Sequence, residues 1–122
     1  SSVGIFDRKA LLDRLMNDLE LAGTIVSGFL DDMPVQIKAI WSFVENGQAE
    51  KAGAQAHKIK GAAGNVGGLS LQEIAFAMEK AGKAEDMEQM RKLMPELERR
   101  FVRLEANMKS FAHADQAISA SP

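Results

Sequence analysis

The chain has 122 residues, 46% of them hydrophobic, which suits one domain with one core. A formal net charge of −2 gives no electrostatic footing for nucleic acid, and no apolar run reaches the ~18 residues of a membrane span. With no Cys there are no disulfides and no thiolate metal sites, and with no Tyr the interior must be filled by aliphatic and Met side chains.

Every predicted element is helical. Asp7 reads as the N-cap of a short helix to about residue 17, with Leu11, Leu12, Leu15 and Met16 at helical spacing. A second helix starts near Asp18 and carries Leu21, Ile25, Phe29 and Leu30, with a kink or brief break at Pro34 before Ile37, Ile40, Trp41 and Val44. Asn46-Gly47 closes it. A third helix spans residues 48–66 and contains His57; Gly67-Gly68 ends it. Ser70 with Glu73 reads as a capping box for a fourth helix to about Ala81, followed by a turn over residues 82–85. Asp86 with Gln89 opens a long last helix, which Pro95 should bend. Short connections favour antiparallel neighbours. The expected fold is all-α, an up-and-down four-helix bundle with an additional short N-terminal helix. It occupies residues 1–112, and residues 113–122, small and polar, read as a flexible C-terminal tail. Ser1 in place of an initiator Met hints at a piece of a longer protein.

The third helix is unusual in its glycines, each of which costs ~1 kcal/mol relative to Ala in a helix interior. On a helical wheel with His57 at zero, Gly61 falls at about +40°, Gly64 at about −20° and Gly53 at about −40°. Lys60 falls at about −60°, Asn65 at about +80° and Lys58 at about +100°. Ala52, Ile59, Ala62, Ala63 and Val66 take the opposite side. The imidazole therefore faces solvent, with glycine a turn on either side. An uncharged imidazole is a nucleophile. If it accepts a phosphoryl group, Lys58 and Lys60 offset the incoming charge, and the bare glycine face admits a large donor. A lone surface histidine is usually without function. Here the case rests on histidine, glycines and lysines sharing one face.

The run His57-Lys58-Ile59-Lys60-Gly61, then residues 62–66, then Gly67, resembles the motif of histidine-containing phosphotransfer domains of phosphorelays. Phe29-Leu30-Asp31-Asp32-Met33-Pro34 is similar to that family's preceding helix, and Ala77-Met78-Glu79 to its apolar-Glu signature in the helix that follows. The match over residues 57–64 is most like the domain that ends Arc-type hybrid sensor histidine kinases. The resemblance implies that His57 takes a phosphoryl group from the phospho-aspartate of one receiver domain and passes it to a response-regulator aspartate, through the ring nitrogen furthest from the backbone. Lys58, Lys60, Gly61, Gly64 and Asn65 would meet the phosphoryl group or the receiver. The domain would hold no cofactor or metal, Mg²⁺ belonging to the receiver. It would not be an enzyme by itself, since no nucleotide-binding motif is present, although a hybrid parent chain would be a protein histidine kinase. A cytoplasmic monomer that contacts neither nucleic acid nor membrane is expected.

One alternative is the phosphotransfer domain of a chemotaxis-type kinase, which is phosphorylated from ATP by a separate catalytic domain. Another is a helical adaptor without phosphate chemistry, which the presence of His57 disfavours. Metal or haem binding has little support, because His57 and His113 are the only histidines. Trp41, the phenylalanines and the Met-rich last helix read as packing. Arg99, Arg100 and Arg103 beside Glu96, Glu98 and Glu105 read as a solvated face with helical ion pairs.

Overall fold

Two aspartates start the first two helices. The Asp7 carboxylate accepts from the Ala10 amide at 3.0 Å and caps α1 (Arg8–Arg14). The Asp18 carboxylate accepts from the Leu21 amide at 3.0 Å and caps α2 (Leu19–Glu45). The structure, a computed structural model, describes the backbone of residues 3–120 and the side chains of residues 3–111. After α1 and α2 come α3 (Ala49–Asn65), α4 (Leu69–Lys83) and α5 (Met87–Ala120).

Several boundaries differ from expectation. α1 stops at Arg14 because Met16 (φ 56°) and Asn17 (φ 61°) take left-handed backbone to reverse the chain before Asp18. Of the kink or brief break expected at Pro34, the break does not occur: α2 runs through Pro34, flanked by buried Met33, Ile37 and Ile40. α5 is continuous through Pro95, in line with a long last helix. The Ser70–Glu73 capping box does not form: Gly68 occupies the N-cap, and Ser70 is already inside α4. α4 also extends to Lys83, because Gly82 is a packed helical residue and the turn begins only at Ala84. Asp86 caps α5 as expected, accepting from the Gln89 amide at 3.1 Å. The flexible tail expected for residues 113–122 lies outside the described side chains.

Helices α2, α3, α4 and α5 pack each against the next, and α5 closes the ring on α2. The interior is aliphatic and thioether: Met33, Ile40, Ile59, Leu71, Met78, Met90, Met94, Leu97, Leu104 and Met108 are fully buried. α3 contributes mainly Ala52, Ala56 and Ala63 to this core, so its neighbours approach closely. Trp41 on α2 donates its indole N–H to Glu98 on α5. Arg100 departs from the solvated face expected of it. Its side chain is only 15% exposed, and it donates to the Ser70 carbonyl at 3.0 Å, to Glu73 at 2.9 Å and to Glu96 at 3.0 Å, tying α5 to α4.

α1 seals the end of the bundle where α3 meets α4. The Asp7 amide donates to the Gly67 carbonyl at 2.8 Å, and Arg14 donates to the Asn65 carbonyl at 3.1 Å and the Gly64 carbonyl at 3.4 Å. Arg14 thus meets carbonyls of the last turn of α3, adding to the Gly67 amide that the Gly64 carbonyl already accepts at 3.2 Å. Gly67 is required here on two counts: its φ is 76°, and an added Cβ would sit 2.7 Å from the Asp7 carbonyl oxygen.

Candidate functional site

The core stripe of α3 (Ala52, Ala56, Ile59 and Ala63) turns inward, so His57 turns outward and its side chain is 65% exposed. The helical wheel anticipates that much. The partner is supplied by α4. Glu79 Oε2 lies 2.8 Å from His57 Nδ1, Glu79 Oε1 accepts from Lys60 Nζ at 2.6 Å, and Lys83 Nζ stands 3.6 Å from Oε2. Glu79 is the one buried charged residue among the described residues, with its side chain 7% exposed. A buried carboxylate is tolerable only when paired, and two ammonium groups and an imidazole converge on this one. The Lys60 hydrogen bond, together with that of His57 and against the opposing effect of burial, holds the Glu79 carboxyl down at about 2.

Two glycines make this geometry possible. A Cβ on Gly82 would lie 2.6 Å from the Gly53 Cα, and one on Gly53 would lie 3.2 Å from the Gly82 Cα. The two helices therefore touch backbone to backbone one turn from the His57–Glu79 pair. Gly53 is thus buried in a helix crossing and does not form part of an open face. The wheel assigns it to the histidine side but cannot show that α4 covers that edge.

The other expected site residues are distributed as follows. Lys58 is exposed beside His57 and has no ion-pair partner among the described residues. Lys60 is half-buried, its ammonium shared between Glu79 and the face of Phe76, 4.9 Å from the ring centre. Gly61 is exposed, and an added Cβ would meet nothing within 4 Å, so the helix surface there is bare. A Cβ on Gly64 would fall 2.6 Å from Gln72 Nε2, the end of a flexible side chain on α4. Asn65 is exposed at the last turn of α3, about 12 Å along the axis from His57. His57 and Lys58 share the rim of a cleft of about 610 Å³ between α3 and α4; Gly64 and Asn65 stand apart from it.

Glu79 enters the sequence reading only within the Ala77-Met78-Glu79 resemblance and not as a residue of the site. A signal for it was present: it falls four residues after Ala75 and eight after Leu71, a carboxylate on an otherwise apolar stripe. Its chemical effect is on the imidazole tautomer. A carboxylate at Nδ1 takes the N–H of that nitrogen, which leaves the lone pair on Nε2 pointing to solvent.

A helical bundle that offers one imidazole in this way has the geometry of a phosphotransfer module. The Hpt domain family model matches residues 24–109, and the chain belongs to that family. Its fold is similar to that of histidine-containing phosphotransfer protein B (HptB) from Pseudomonas aeruginosa PAO1, with a TM-score of 0.82, 18% sequence identity, and coverage of 95% of this chain and 98% of that one. No curated protein matches it by sequence. The chain is accordingly a phosphorelay carrier of two-component signalling, one that passes phosphoryl groups to receivers and is not itself a kinase.

Proposed function

We propose that His57 is the phosphoryl carrier, taking the group from a receiver phospho-aspartate and giving it to a response-regulator aspartate. The observation that carries this is the 2.8 Å contact between Nδ1 and the buried Glu79 carboxylate on an imidazole whose outer edge is open. The Nε2 lone pair attacks phosphorus, the bond from phosphorus to the aspartyl oxygen breaks, and the aspartate leaves as a carboxylate. The Nδ1 proton stays where it is, and Glu79 offsets the positive charge that the ring acquires. Return transfer to the next aspartate reverses these steps. Lys58, exposed beside His57, would meet the phosphoryl oxygens, while Lys60, which donates to Glu79, would hold that carboxylate in position. Gly61 leaves room for the receiver's active-site edge. Gly64 and Asn65 would meet the receiver further along α3.

We assign the Mg²⁺ of the transfer to the receiver and regard the domain as a cytoplasmic monomer. We further favour a parent chain of the Arc-type hybrid kinase kind, on the strength of the motif over residues 57–64.

The test is to incubate the domain with a phosphorylated receiver and map the phosphate by mass spectrometry. An acid-labile, base-stable phosphate on His57 is expected. Phosphate on another residue overturns the site. Labelling solely by an ATP-loaded kinase core overturns the relay in favour of the chemotaxis-type reading.

A further inference from the structure

We propose that Phe76 on α4 is a positioning residue for His57, one that acts through Lys60 and Glu79 by holding the Lys60 ammonium against the carboxylate. This role rests on the phosphorelay reading and specifies how the imidazole that reading uses is kept in its attacking form.

Of the six phenylalanines, five pack into or against the core, while Phe76 is 45% exposed. α4 sends Leu71, Ile74, Ala75 and Met78 inward, so Phe76 stands on a different face of the helix. Two ammonium groups lie over its ring, Lys60 Nζ at 4.9 Å and Lys80 Nζ at 4.1 Å from the centre. Such contacts are attractive and gain strength where water is partly excluded. The Lys60 side chain is 26% exposed, and its ammonium also donates to Glu79 Oε1 at 2.6 Å. That hydrogen bond is the largest of the influences that hold Glu79 down at about 2. A lysine side chain has wide rotamer freedom to lose, and the ring gives its ammonium a second attachment beside Oε1. Lys80 shares the ring but makes no bond to Glu79 among the described residues, so Lys60 alone couples the ring to the site.

The consequence falls on the imidazole. With Oε1 taken by Lys60, Oε2 is left to face Nδ1 at 2.8 Å. Around the adjoining cleft Lys58 and Lys83 stand against Glu50 and Glu85, and Lys60 is the closest cation to the buried carboxylate. A carboxylate that loses its cation favours a charged imidazolium beside it, which has no lone pair on Nε2 to attack with.

Phe76→Leu keeps an apolar side chain without a π face, and Phe76→Tyr keeps the face; both changes fall at an exposed position. The probe is phosphoramidate, a small donor that needs no docking. The labelling rate of His57 is followed against pH, and the ring tautomer is read from the nitrogen-15 shifts of the imidazole. Phe76→Leu should slow labelling at pH 7 by about two- to fivefold, the factor that a cation–π contact at a partly exposed site sets. It should also move the acid limb of the profile to higher pH. Phe76→Tyr should match the natural protein. With Lys60→Met as background, Phe76→Leu should change nothing further, because the ring acts through that ammonium. A Phe76→Leu protein with the natural profile and tautomer overturns the role, as does a Phe76→Tyr protein that shares the loss. So does a loss that persists in the Lys60→Met background, or one seen only with a phosphorylated receiver as donor. If phosphoramidate labels His57 and no phosphorylated receiver does, the phosphorelay reading fails, while the pH profiles and tautomers still decide the role of Phe76. A His57 that neither donor labels overturns both.

Discussion

Replacing Glu79 with Gln keeps the shape of the site and removes its charge. The amide oxygen can still accept from Lys60, but the amide N–H₂ then faces His57 Nδ1, where the carboxylate now lies at 2.8 Å. The N–H₂ group favours the tautomer that carries its proton on Nε2, the atom that must attack. Transfer should fall by roughly 10–100-fold, the usual effect of losing the group that orients a functional imidazole. Hydrogen bonds to charged groups are worth about 1.5–3 kcal/mol each. Glu79 makes two, of which the amide retains one in weaker form, and the exposed imidazole can turn to water. A stability loss of about 2 kcal/mol follows, or about 8 °C in Tm for a domain of this size. The Glu79 carboxyl ionises at about 2 in the fold against 4.5 as its ordinary value. A lowered folded value contributes stability that is complete above 4.5 and is lost as the pH falls from there toward 2. The variant should therefore be less stable than the natural protein at pH 7 and converge with it near pH 2. Urea unfolding followed by circular dichroism at several pH values, alongside receiver-to-domain transfer rates, tests both arms. A variant with the natural transfer rate and a parallel pH profile would refute the orienting role of Glu79.

His57→Ala should abolish phosphate acceptance while the far-ultraviolet circular dichroism spectrum stays unchanged, because the side chain removed is largely exposed; retained label on the folded variant would contradict the assignment. Gly61→Gln should raise stability by up to ~1 kcal/mol through helix propensity, yet slow transfer from a receiver because it fills a bare surface; thermal melts and transfer rates should move in opposite directions. Gly82→Ala should destabilise by about 1–3 kcal/mol despite its better propensity, because the new methyl meets the Gly53 backbone at 2.6 Å and nothing flexible can yield; an increase in Tm would show that α3 and α4 separate freely.

The bundle was legible in the sequence because its signals are local. Asp7, Asp18 and Asp86 cap helices, Asn46-Gly47 and Gly67 end them, and the spacing of Met90, Leu97, Leu104 and Met108 marks the buried side of α5. The outward aim of His57 was legible for the same reason, since one helix settles it. What stayed hidden depends on two helices at once. Arg100 looks like one more surface cation until α4 is placed against it. Ser70 and Glu73 have the spacing of a capping box, but Glu73 pairs with Arg100 and the chain enters α4 at Gly68. Pro34 lacks the amide that a helix would use, yet packing of the residues around it keeps α2 whole. Glu79 belongs to the same group, because a wheel drawn for α3 cannot show a carboxylate on α4.

The glycines of α3 therefore answer two separate demands. Gly61 keeps a surface clear, and no contact within the domain offsets its cost in helix propensity, which supports the receiver contact proposed for it. Gly53 is offset inside the domain, because its contact with Gly82 lets Glu79 reach His57 from the neighbouring helix. The same contact hollows the cleft that His57 lines. One close helix crossing thus both brings Glu79 to His57 and shapes the surface beside it. A side chain at that crossing would disturb the Glu79–His57 pair and the cleft together, whereas one at Gly61 would change only the exposed surface of α3.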